Sequence, residues 1–120
     1  MALTKVQAGG VNLGDTFAFT GTVTGVSAIG VNQTWQDLTS SRSHGTNYTN
    51  STGRPIMVSV CTNMATNARI DATVGGVDIQ DNGISTIYGG MGFNIFIVPD
   101  NTVYKVDRPQ GTIQFWAELR

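Results

Sequence analysis

The residues of this chain that can do chemistry are one histidine, one cysteine and a scatter of carboxylates, and none of these sets has the spacing a reaction needs. His44 is the only histidine, so no histidine cluster can hold a metal within one copy, and it reads as a polar loop residue. Asp78-Ile79-Gln80-Asp81-Asn82-Gly83 opens like a calcium loop, but the glutamate that should close it falls at Gly89. A strand end followed by an Asp-Asn-Gly turn accounts for the same letters. Gly89-Gly90-Met91-Gly92 lacks the Gly-Lys-Ser/Thr ending of a phosphate loop and precedes a strand rather than a helix, so it reads as a flexible surface loop. Asp37, Asp71, Asp78 and Asp100 fall at strand or turn positions where a solvated carboxylate is ordinary, although the separation that glycoside hydrolysis requires is set in space. Cys61 has no partner for a disulfide within the chain and no adjacent His or Lys to activate it; it reads as a small buried hydrophobe. The expectation is a protein with no enzymatic activity, no cofactor and no metal.

Binding is better supplied. Sugars present hydroxyl arrays and weakly apolar ring faces, which amides, hydroxyls and aromatic rings can match. The loop Ser41–Asn50 offers Arg42, Ser43, His44, Asn47 and Tyr48, and the loop Asn82–Gly92 offers Asn82, Ser85, Tyr88 and Met91. Trp35 and Trp116 are expected in the core or a subunit interface rather than as sugar platforms.

The elements that must position these loops are strands. Phe17, Phe19 and Val23 alternate with threonines from Thr16 on, and Val26–Val31 continues as a second short strand after Gly25. Ser40–Gly53 is a long polar loop or β-ribbon, and Ile56–Cys61 alternates with Ile56, Val58 and Val60 inward and Cys61 on the other face. After a turn at Asn63–Asn67, Ile70–Val74 and the strand from Val77 flank Gly75-Gly76, the signal of a tight hairpin. Ile84–Tyr88, Phe93–Val98, Val103–Val106 and Thr112–Arg120 complete the set, with turns at Pro99-Asp100-Asn101 and Arg108–Gly111. Phe93–Val98 is so continuously apolar that both of its faces should be covered, either by the second sheet and a subunit contact or by two sheets, and Ile95 is expected as a core position beside Val58. Many strands, short turns and no amphipathic helix predict an antiparallel β-sandwich. Residues 15–120 form that domain, and Met1–Gly14 is an arm suited to attachment.

Composition narrows the partners. At 120 residues the chain is one domain, with 12% charged and 40% hydrophobic residues and a net charge of −1. Nothing in that balance favours nucleic acid, whose affinity comes from neutralised phosphates. Nor is there a secretory signal at the N-terminus or an apolar run long enough to span a membrane.

The stretch Gln33–Cys61 carries a more specific signal: Thr34-Trp35, Asp37, Thr39, Arg42, Gly45-Thr46, Tyr48-Thr49-Asn50, Thr52-Gly53, Pro55-Ile56, Val58 and Val60. This run resembles the small C-terminal receptor-binding β-sandwich of phage tail fibres, as do Phe93–Val106 and the last strand with Glu118, Leu119 and Arg120. The resemblance implies a jelly-roll-like homotrimer in the virion, assembled in the host cytoplasm. Its partners would be other virion proteins, through the N-terminal arm, and a bacterial glycan or outer-membrane protein. The repeated His-x-His pattern with which some fibre tips bind metal is absent. The alternative within the same fold is a capsid decoration or head-fibre protein that stabilises the capsid.

Overall fold

A computed structural model of the chain describes residues 28–63, 65–66, 68–83, 89–107 and 111–120. Alternation of side chains produces eight strands: β1 (Trp35–Asp37), β2 (Asn47–Thr49), β3 (Ile56–Thr62), β4 (Arg69–Val74), β5 (Val77–Gly83), β6 (Phe93–Val98), β7 (Val103–Asp107) and β8 (Ile113–Leu119). They form two antiparallel four-stranded sheets, sheet A in the order β1-β8-β3-β6 and sheet B in the order β2-β7-β4-β5. Among the described residues there is no helix. Only β4 and β5 are joined as a hairpin within one sheet; every other connection carries the chain from one sheet to the other.

The period of two puts one set of side chains from each sheet into a shared core. Ile56, Val58 and Val60 of β3, Phe96 and Val98 of β6 and Trp116 of β8 meet Ile70 and Ala72 of β4 and Tyr104 and Val106 of β7. Each large aliphatic or aromatic side chain so buried contributes roughly 1.5–3 kcal/mol. The hairpin turn needs positive φ at both central residues, and Gly75 (59°) and Gly76 (81°) supply it without a Cβ clash. At the same end of the sandwich, buried Asn50 ties two further turns together. Its Nδ2 donates to the carbonyls of Arg54 (2.7 Å), Val98 (3.1 Å) and Pro99 (3.0 Å), while its Oδ1 accepts from Thr52 N and Oγ1.

Several expectations are corrected. Ile95 is not a core residue: β6 pairs with β3 so that Phe96 lies opposite Val58 and Ile95 opposite Ser59, which turns Phe93, Ile95 and Ile97 outward. A strand apolar on both faces gives no sign of its phase, and pairing decides it. Asp81-Asn82-Gly83 is not a turn but the end of β5, paired with Asp71, Ile70 and Arg69 across a register shift between Ala72 and Thr73. Residues 29–32 form a turn closed by Val31 N on Ala28 O (3.3 Å), where a strand was expected. Gly92 is buried and pinned, its N–H donating to Thr62 Oγ1 (2.8 Å) and its carbonyl accepting from Thr62 N (2.8 Å), so this part of the glycine loop is fixed by the end of β3. The arm Met1–Gly14, the strand from Thr16 and the strand Ile84–Tyr88 lie outside the described residues.

Candidate functional site

The connection from β1 to β2 is built on a buried carboxylate. Glu118 follows Trp116 by two residues on β8 and therefore points inward with it, where burial alone would push its proton affinity up. Five donors reverse that. Oε1 accepts from Tyr104 Oη (2.6 Å), Trp116 Nε1 (3.0 Å) and Arg42 Nε (3.0 Å), and Oε2 accepts from Arg42 Nη2 (3.3 Å) and Arg120 Nη1 (2.9 Å). Against desolvation, the bonds from Arg42, Tyr104 and Trp116 hold the carboxyl below its ordinary value. Burial and the adjacent Glu118 charge push the Tyr104 phenol well above its ordinary value. The Arg42 guanidinium also lies 4.5 Å from the centre of the Tyr48 ring, which packs edge-on to Trp116 at 5.8 Å. Tyr48 Oη accepts the backbone N–H of Ser43 (2.8 Å), so the ring shapes the loop that follows Arg42.

Arg42 and Tyr48, expected as exposed binding groups, are thus committed to the interior, Tyr48 half-buried against the core and Arg42 paired with Glu118. Ser43, His44 and Asn47 are exposed, as is Met91. Asn82 lies in β5 opposite Ile70. Ser85 and Tyr88 lie outside the described residues. The role of Glu118 was missed by sequence reasoning, although a charge two residues from a core tryptophan on a strand was the available clue.

The strand directions bring the described parts of both candidate loops to one end of the sandwich. Gly45 N donates to Val106 O (2.8 Å) and Asn47 pairs with Lys105, which sets the 43–47 segment at the end of β7. Asp107 there pairs with Asp71 of β4, and the start of β4 at Arg69 lies against Gly92, where an added Cβ would come within 3.0 Å of the Arg69 backbone. The chain enters at the opposite end. Arg54 Nη1 donates to Val31 O (2.7 Å), Gln33 Nε2 to Pro55 O (2.9 Å), and Thr34 and Arg120 exchange two backbone bonds.

No family model, curated protein or solved structure matches this chain.

The second candidate surface is the outer face of sheet A. Strand pairing arranges it in rows: Ile97, Met57, Leu119 and Trp35; then Ile95, Ser59, Ala117 and Asp37; then Phe93, Cys61 and Phe115. Trp35, Ile97 and Phe115 keep 53%, 50% and 58% of their surfaces exposed. Cys61 sits in this face, half-buried, and burial pushes its thiol up. Trp116 is in the core, whereas Trp35 lies outside it. The outer face of sheet B is more polar, although Val77, Ile79 and Val103 on its strands are also exposed: Arg69 pairs with Asp71 (2.6 Å), Lys105 with Asp107 (2.6 Å) and Thr73 Oγ1 with Asp78 (2.7 Å).

Proposed function

We propose that this chain is a phage virion structural protein, a tail fibre or fibre tip that adsorbs to a bacterial surface receptor, most simply a glycan. The observation that carries this reading is polarity of layout. The chain enters the sandwich beside Arg54 and Pro55, while the segments bearing Ser43, His44, Asn47 and Met91 lie at the other end. Such a body attaches to a particle by its N-terminal side and presents hydroxyl, amide and imidazole groups outward, on loops held by a rigid scaffold. The strand orders β1-β8-β3-β6 and β2-β7-β4-β5, with the chain crossing between sheets, support the jelly-roll-like form that the resemblance implies. As a homotrimer it multiplies weak single contacts into avidity.

Binding of labelled protein to a panel of bacterial strains and their purified lipopolysaccharides tests this. Saturable binding to some strain is expected, reduced at least tenfold in a Ser43→Ala, His44→Ala, Asn47→Ala triple variant whose melting temperature is unchanged. Binding to no strain, together with saturation of purified phage capsids and a rise in their heat resistance, replaces adsorption by capsid decoration.

A further inference from the structure

We infer that Glu118 is the positioning residue of the 43–47 segment, acting through the ring of Tyr48. The inference rests on the reading of that segment as part of the receptor-binding surface and names what fixes its shape.

The geometry converges twice on the same groups. Arg42, Tyr104 and Trp116, the three side chains that donate to Glu118 Oε1, are also the three that surround the Tyr48 ring. The Arg42 guanidinium lies 4.5 Å from the ring centre, the Trp116 ring meets it edge-on at 5.8 Å, and the Tyr104 ring is tilted against it at 5.9 Å. One buried carboxylate therefore orients all three walls of the cage, because each wall is tied to the same oxygen atom. The ring seated among them carries the constraint outward, since its hydroxyl accepts the N–H of Ser43 (2.8 Å).

From Ser43 to Asn47 every residue is exposed, whereas the flanking Arg42 and Tyr48 are partly buried. The backbone of the segment is held by Ser43 N on Tyr48 Oη, by Gly45 N on Val106 O (2.8 Å) and by the pairing of Asn47 with Lys105. The last two belong to the edge of β7. Only the first depends on a side chain, and through the cage it depends on Glu118. Ordering a loop at the moment of binding costs affinity, so a Ser43 fixed beforehand favours recognition by the side chains of Ser43, His44 and Asn47.

Native-state amide exchange on the full chain tests this, with binding to bacteria measured beside it. In Tyr48→Phe, which keeps the ring and loses the acceptor, Ser43 N–H should exchange at least fivefold faster than in wild type, while Gly45 N–H changes less than twofold. Glu118→Gln should give the same selective change at Ser43. So should the conservative Arg42→Lys, which keeps the charge but not the planar fork. Ile70→Val, a core change outside the cage, should lower stability without it. Where wild type binds a bacterial strain, Glu118→Gln should weaken binding at least tenfold and Ile70→Val should not. Ser43 exchange that is unchanged in Glu118→Gln, or equally fast in Ile70→Val, overturns the inference, and so does unchanged affinity of Glu118→Gln for a strain that wild type binds. Wild-type protein that binds no strain ends the adsorption reading, and selective loosening of Ser43 in Glu118→Gln then still upholds the positioning role. Should Glu118→Gln fail to fold, Arg42→Lys decides by the same two readouts.

Discussion

The two sheets of this sandwich are alike inside and different outside. Both send aliphatic and aromatic side chains into one core, yet sheet A shows phenylalanines, isoleucines and a tryptophan to its surroundings where sheet B shows threonines and paired charges with a few smaller aliphatics, Val77, Ile79 and Val103. Strand formation needs only the alternation, so the outward set is free to differ between the two sheets without disturbing the core. The ion pairs of sheet B are therefore made at the solvated surface, and the hydrophobes of sheet A stay exposed at theirs.

The sharpest break of this comparison is between neighbours on β6. Phe96→Asp puts an unpaired carboxylate into the core and should abolish cooperative unfolding, a cost comparable with the whole stability of about 5–15 kcal/mol. Ile95→Asp, one residue away and outward, should melt cooperatively; its unfolding would show that the faces have been inverted. Next comes the carboxylate that sheet A does bury. Glu118→Ala leaves Arg42 and Arg120 without their acceptor and should cost about 3–5 kcal/mol by urea titration. The same group gives a pH dependence. Because its folded pKa is lowered, its stabilisation is present above the unfolded carboxylate value and is lost as pH falls through the folded one, and Glu118→Gln should flatten that acid limb of the melting curve.

Asn94 tests the inner side from the opposite sign. It is fully buried and neither atom of its amide has a hydrogen-bond partner, so Asn94→Leu, of similar shape, should raise stability by about 1–3 kcal/mol in the same titration. The smallest effect belongs to sheet B. Lys105→Gln removes an exposed partner of Asp107 and should shift the melting temperature only at low salt, where screening is weak.

The strands were legible because period two is written plainly in Ile56–Thr62 and Arg69–Val74, and the Gly75-Gly76 turn because two positive φ values demand glycine. What could not be read depended on pairing between distant residues. β6 is apolar on both sides, so only its partner β3 decides that Ile95 faces out. Asp81-Asn82-Gly83 has turn letters, but Arg69–Asp71 lie opposite and extend the ladder through them. Arg42 and Tyr48 sit in a polar stretch that looks solvated until Glu118, far along the chain, is placed beneath them. Much of the run that resembles fibre tips is thereby explained as scaffold: Thr39 Oγ1 accepts Trp116 N, Asn50 ties turns, and Ile56, Val58 and Val60 fill the core. The exposed candidates Ser43, His44 and Asn47 stand beside those scaffold positions, and varying them leaves the scaffold contacts in place.

The place of β8 in sheet A bears on how the protein is made. It is the last of the eight strands among the described residues but lies between β1 and β3, pairing Trp35 with Leu119 on one side and Met57 with Leu119 on the other. On the ribosome β1 and β3 emerge long before the strand that joins them, and until it arrives they have unpaired backbone edges and the core has no Trp116. Closure is a non-local, slow event of the kind that leaves a chain exposed to misassociation while it waits. A chain cut before β8 therefore lacks both the shared partner of β1 and β3 and the core tryptophan, so the sandwich can close only once that strand is available.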